Sequence, residues 1–206
     1  MSYTVYKQKV VEEAVKIIAK SEGKYNSVVR NDNGACSIGI MQWHGNRALH
    51  LLKAIAEQTT TMKLATSLGP ILALEITNKK TDWKNRKLSN IEKELISKFL
   101  DTPIGREVQD KRGYDDVSFY VNKVIDLGIT NSGTVIYLAD AFHQYGINSK
   151  LWVDFSKNLI KSGVITVENA NKMVLNDKTL RKYIIRRNNT YKAIMSLPLH
   201  RYEITT

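Results

Sequence analysis

Cysteine is nearly absent. Cys36 is the only one in 206 residues, which excludes an intramolecular disulfide framework and points to synthesis in a reducing compartment. Histidine is scarce too: His44, His50, His143 and His200 are scattered, and no pair has the helical spacing of a zinc site with a glutamate between. The pattern calls for no metal and no cofactor. No apolar run reaches the length of a membrane span, so no membrane partner is expected. The opening Met-Ser-Tyr-Thr-Val-Tyr-Lys lacks a secretory-signal pattern. Acidic residues are also short, with 20 Asp and Glu against 31 Lys and Arg, a net charge of +11. That balance suits nucleic acid, an anionic membrane surface or an anionic polymer. Bacterial walls, with their peptide carboxylates and phosphate-rich polymers, belong to the last group. A polycation such as chitosan would be repelled.

What is present is ordinary for a globular chain that buries a core: 43% apolar and 25% charged residues. Helical periodicity dominates. Residues 4–21 place Val10, Val11, Ala14, Val15, Ile17 and Ile18 on one face. Further helices are expected over 46–57 and over 61–77, the latter interrupted at Gly69-Pro70. Residues 78–88 read as a basic loop. Ser89-Asn90-Ile91-Glu92 is a capping-box pattern, opening a helix with Ile91, Leu95, Ile96 and Phe99 inward. Thr102-Pro103 starts another, running to about Leu127, with Gly113 as an interruption and Gly128 as the stop. Asn131 or Ser132, Asn148 and Thr166 each open one more, and a last helix spans 178–196 with Leu180, Ile184, Ile185, Tyr191 and Ile194 inward. The fold class is mainly α (α+β) with a small β-hairpin or loop element near residues 24–43, as one domain over 1–206. A sub-boundary is expected near 147, before the C-terminal helices of 148–196.

The non-helical stretch Ser21–Trp43 carries the chemistry-bearing residues. It holds Gly23, Gly34 and Gly39, a turn signal at Asp32-Asn33-Gly34, and two carboxylates. Glu22 falls where Gly23 should end the first helix, next to the partially negative helix terminus. There, burial would favour the protonated form that a general acid requires. Asp32, ten positions later on a wetter turn, is expected to be ionised. Two carboxylates in unlike environments are the usual pair for breaking a glycosidic bond. The bland alternative makes Glu22 a surface residue and Asp32 an ordinary turn residue. Ile38, Ile40 and Gln42 alternate as in a short strand.

Other constellations compete. Cys36 and His44 would serve a thiol peptidase only with an orienting third group, and a small packed cysteine is the simpler reading. Lys178, Arg181, Lys182, Arg186, Arg187 and Lys192 in the last helix, with the loop at 79–87, could grip phosphates. A basic helical nucleic-acid-binding protein is therefore the alternative of another class. Trp43 and Trp83 are candidates for stacking on sugar rings, Trp152 for the core.

Glu22-Gly23, Asp32 and Ser37-Ile38-Gly39-Ile40 resemble the active-site stretch of phage-type lysozymes, where a helix ends in Glu-Gly, an Asp follows in a hairpin, and Thr-Ile-Gly-Ile comes next. Ser37 replaces the Thr, and Asp32 falls one position late. The stretch is also similar to lytic transglycosylases, through Gly34-Ala35 and Gly39-Ile40-Met41-Gln42, and more loosely to chitosanases, through Asp32, Ser37, Gly39 and the segment around His143. The resemblance implies a lysozyme-like fold and cleavage of β-1,4 bonds between amino sugars. The implied enzyme is a peptidoglycan glycosidase of the endolysin kind, monomeric and made without a signal peptide. It would reach the wall after release, with peptidoglycan rather than nucleic acid as partner. The implied catalytic set is Glu22 as general acid, Asp32 holding the attacking water, and Ser37 helping to place it. In an inverting enzyme of this type the carboxylates stand roughly 6.5–9.5 Å apart. Gln42, Trp43, Tyr25 and His143 complete the substrate-binding set. Under the transglycosylase reading Glu22 acts alone and Gln42 binds substrate.

Overall fold

The computed structural model describes residues 3–146 and 148–205. The fold is mainly helical with two small sheets. In chain order the elements are β1 (Thr4–Tyr6), α1 (Lys7–Glu22), β2 (Val28–Asp32), β3 (Ala35–Ile38), β4 (Trp43–His44), α2 (Asn46–Glu57), α3 (Thr61–Leu68) and α4 (Pro70–Thr77). Then follow α5 (Asn90–Leu100), α6 (Pro103–Asp126), α7 (Ser132–Tyr145), α8 (Lys150–Lys161), α9 (Val167–Asn176), a 3-10 turn at Leu180–Tyr183, α10 (Ile184–Met195) and β5 (Glu203–Thr205). Among the described residues no helix is long and apolar enough to cross a membrane.

The chain divides into two compact units: Glu22–Gly113, and the remainder up to Ser21 and from Tyr114 onward. The sub-boundary expected near 147 falls on a residue outside those described.

In the unit Glu22–Gly113, β2, β3 and β4 form an antiparallel sheet in that order. The helices around it bury Leu49, Leu52, Ile55, Ile76, Ile96 and Leu100 almost completely. Local signals set the helix ends. Gly69 separates α3 from α4, with Pro70 at the first position of α4. The Ser89 hydroxyl accepts from Glu92 N while the Glu92 carboxylate accepts from Ser89 N, a complete capping box. Ile91, expected inward, is 72% exposed, because the inward stripe of α5 starts at Leu95 and Ile96. Gly113 does not interrupt α6. Its missing side chain instead admits Met41, whose Cε lies 3.0 Å from where a Cβ would stand.

In the other unit, α7 is buried from Ser132 to Phe142 and packs against α8, α9 and α10, so it serves as the central helix. Asn131 caps it through Thr134 N. Three expectations need correction here. Residues 4–6 form β1 rather than the first helical turn, pairing in parallel with β5. Ser149, not Asn148, occupies the cap position of α8. The last helix is broken: the Asp177 carboxylate accepts from Thr179 N and Leu180 N, which winds a 3-10 turn before α10 starts. Ile184 and Ile185, assigned to its buried face, are 42% and 75% exposed.

Candidate active site

Glu22 is the last residue of α1 and is half-buried. The chain turns at once at Gly23, where a side chain would be tightly packed. A Cβ there would lie 3.0 Å from Ser27 Oγ and 3.1 Å from both Gln42 Nε2 and the Gly39 carbonyl. Gln42 Nε2 donates to that carbonyl at 2.9 Å, and Gly39 N donates to Ser27 O at 2.8 Å. The Gln42 amide is thereby fixed beside the backbone that follows Glu22.

The short strand expected over 38–42 ends instead at Ile38, and residues 39–42 turn. Gly39 (φ 75°) and Gln42 (φ 48°) both take left-handed backbone, which extended pairing does not allow. Gln109 on α6 holds the turn from beneath. Its buried amide accepts from Ile40 N at 3.0 Å and donates to Leu100 O at 3.0 Å and Gly105 O at 3.2 Å. Gln109 was not singled out from the sequence. The signal was available: it lies four residues from both Gly105 and Gly113, on the stripe of α6 that faces inward.

The hairpin β2–β3 turns through Asn33 (φ 52°) and Gly34 (φ 107°), the positive-φ pair that two-residue hairpins require. Val28 pairs with Ile38 and Val29 with Ser37, but Asp32 pairs with Ala35. One extra residue therefore bulges from β2 between Val29 and Asp32. Its effect on the site is decisive. In unbroken register Asp32 and Ser37 would point to opposite faces of the hairpin; the bulge moves Asp32 onto the face of Ala35 and Ser37. There Ser37 Oγ donates to Asp32 Oδ2 at 2.7 Å, and Asn33 Nδ2 donates to Oδ1 at 3.2 Å. His44 Nε2 stands 2.8 Å from the Asp32 carbonyl and ties β4 to the same corner.

No protein-family model matches the chain, and no curated protein or solved structure matches it.

Asp32 is half-buried, with its carboxylate aimed by two donors. Ser37 is fully buried, with its hydroxyl on the Asp32 carboxylate. Trp43, expected to bind substrate, is 1% exposed, and its ring packs under Gly39. It supports the turn from below. Tyr25 donates to Asp110 Oδ1 at 2.6 Å, with the Arg106 guanidinium 5.4 Å from its ring centre. That bond to a carboxylate, followed by burial, pushes the phenol up to about 12, so Tyr25 stays a neutral donor. His143 belongs to the other unit, half-buried on α7, its ring 5.6 Å edge-on to Tyr120.

The competing constellations change as well. Cys36 is fully buried, and burial pushes its thiol up to about 11, which leaves no thiolate for nucleophilic attack near neutral pH. Trp83, expected at the surface, has no exposure. Its Nε1 donates to Glu75, and Arg86 binds both Glu75 and Glu92. The basic loop folds inward over these carboxylates and braces the hairpin, through Cys36 N to Arg86 O and Leu88 N to Arg30 O. Among the described residues no group of three or more His, Cys, Asp or Glu could hold a metal ion.

In the last helix, Arg187 is fully buried. It binds Asp140 Oδ2 at 2.5 Å and Gln144 Oε1 at 3.0 Å, with its guanidinium near the rings of Tyr137 and Trp152. Arg186 also donates to Asp140. Two of the six cations expected to grip phosphate are thus engaged inside the fold.

Proposed function

We propose that the chain is a lysozyme-like glycosidase that cuts the β-1,4 bond between amino sugars of peptidoglycan. The observation that carries this reading is the bulged hairpin. It turns Asp32 onto the face of Ser37 and fixes its carboxylate there, just after a helix ending in Glu22-Gly23. Glu22 protonates the glycosidic oxygen, and the Asp32 carboxylate orients and activates the attacking water. Ser37 keeps that carboxylate from swinging. The net charge of +11 favours an anionic wall over cationic chitosan.

A second reading has its own support. Gln42, lodged against Gly23 and the Gly39 carbonyl, suits a transglycosylase, in which Glu22 alone serves as acid and then base and the sugar's own hydroxyl attacks. Nucleic-acid binding is weakened, because Arg186 and Arg187 are spent on Asp140.

Mass spectrometry of the soluble products from purified peptidoglycan separates these. Wild type should release reducing muropeptides, and Glu22→Gln should lower the rate by about 10²–10⁴-fold. Asp32→Asn should cause a comparable loss. Ser37→Ala should lower kcat with little change in KM, and Ser37→Thr should restore it. Anhydro products with Asp32→Asn still active would establish transglycosylation. Unchanged release by Glu22→Gln would sink both readings.

A further inference from the structure

A groove of about 830 Å³ lies between the last two turns of α1 and the 3-10 turn and helix α10. Its lining falls wholly within the unit that includes α7. Two features define it. Four cations line it, Lys20, Lys182, Arg186 and Lys192, and no Asp or Glu does. Arg186 is held by Asp140, while Lys20, Lys182 and Lys192 are exposed and have no carboxylate partner among the described residues. Between the cations stand exposed apolar groups: Ile185 is 75% exposed, Tyr183 43% and Ile184 42%. Adjacent exposed isoleucines beside lysines without a carboxylate partner make a surface that is apolar and cationic at once. The groove also includes Ser21, the residue before Glu22.

We infer that this groove takes the acidic stem peptide of the wall polymer. The inference rests on the peptidoglycan reading above and names the part of the substrate that lies outside the sugars. A stem peptide alternates carboxylates with small methyl-bearing side chains. Its carboxylates match Lys20, Lys182 and Lys192, and its methyl groups match Ile184 and Ile185. A polyol-phosphate chain would satisfy the lysines but leave the isoleucines wet. Single-stranded nucleic acid would call for a row of open aromatic faces, and the lining offers Tyr183 alone; a duplex backbone, like a polyol phosphate, would leave the isoleucines wet. The groove therefore selects glycan that carries free peptide acids.

The test is calorimetric binding to the full chain carrying Glu22→Gln, which separates binding from turnover. The probes are a soluble disaccharide-tetrapeptide, the same molecule with its carboxylates amidated, and the peptide-free disaccharide. The native tetrapeptide should bind about tenfold tighter than either of the others. Lys20→Gln, Lys182→Gln and Lys192→Gln combined should erase that preference. Because all three lysines are exposed, the fold should survive, and circular dichroism checks it. Ile185→Asp, tested singly, should weaken the tetrapeptide alone. Equal affinity for native and amidated probes overturns the inference, as does a preference that persists in the triple variant. Tighter binding of poly(glycerol phosphate) or of duplex DNA than of the tetrapeptide overturns it in favour of a phosphate site. A preference for the tetrapeptide, with no sugar bond cut by wild type, would retain the groove and refute the glycosidase.

Discussion

A methyl group at Gly23 would be crowded, and the atoms it would press are those that set the corner after Glu22. Gly23→Ala should cost about 1–3 kcal/mol by overpacking against Gln42 and the Gly39 carbonyl. Activity should fall further than stability does, as a urea midpoint and a turnover assay on one sample would show. Asp140 gives a second prediction at this scale. Burial pushes its carboxyl up, but the guanidiniums of Arg187 and Arg186 and the Thr190 hydroxyl outweigh that and hold it below the usual carboxylate range. A carboxyl with a lowered folded pKa adds stability that is complete above its unfolded value of about 4 and is lost as pH falls through the folded value. Asp140→Asn leaves Arg187 buried without its counter-charge and should cost about 3–5 kcal/mol near neutral pH. The gap between wild type and variant should narrow below pH 4, which urea titrations at pH 7 and pH 3 would measure. Neither Trp83 nor Arg187 was legible from the sequence. Each sits among polar neighbours, and the carboxylates that draw them inward, Glu75 and Asp140, lie 8 and 47 positions away.

At the scale of elements, legibility followed the locality of the signal. The bounds of α2, the break at Gly69-Pro70 and the capping box of α5 are written within a few residues, and all three form as read. Ser89→Ala should cost about 1 kcal/mol, read as a shift in thermal or urea midpoint, because both reciprocal bonds of the box are present. The turn at 39–42 was misread because Ile38, Ile40 and Gln42 alternate as a strand would. What breaks the alternation is Gln109, far away in sequence, capturing Ile40 N. Gln109→Leu should strand that amide and the Leu100 carbonyl, at a cost of about 1–3 kcal/mol. It should also release the turn that carries Gln42, so hydrogen exchange at Ile40 should accelerate more than at Leu52 in α2. The bulge in β2 was equally hidden. The sequence showed the hairpin turn and both of its polar residues, but a one-residue slip in pairing leaves no mark in composition. That slip is what puts Asp32 and Ser37 on one face. The candidate site was thus legible in its residue types and not in its register.

At the scale of the whole molecule the dominant quantity is the net charge of +11. Part of the basic charge is paired: Arg86 is bound to Glu75 and Glu92, and Arg186 and Arg187 share Asp140. Exposed lysines such as Lys20, Lys182 and Lys192 remain to draw an anionic polymer in. Attraction of this kind acts through water and is screened, with a Debye length of about 8 Å at physiological salt and about 3 Å at 1 M. Sedimentation of the protein with purified wall should therefore decline steeply as salt rises. Cleavage of a neutral, peptide-free sugar oligomer should change little over the same range, because Glu22 and Asp32, the groups proposed to break the bond, would act at contact distance. Wall binding that ignores salt would mean that shape rather than charge holds the polymer. The excess of lysine would then serve only to keep the chain dissolved, a role that any face of the molecule could fill and that gives no reason for cations to gather without acids in the groove beside α1.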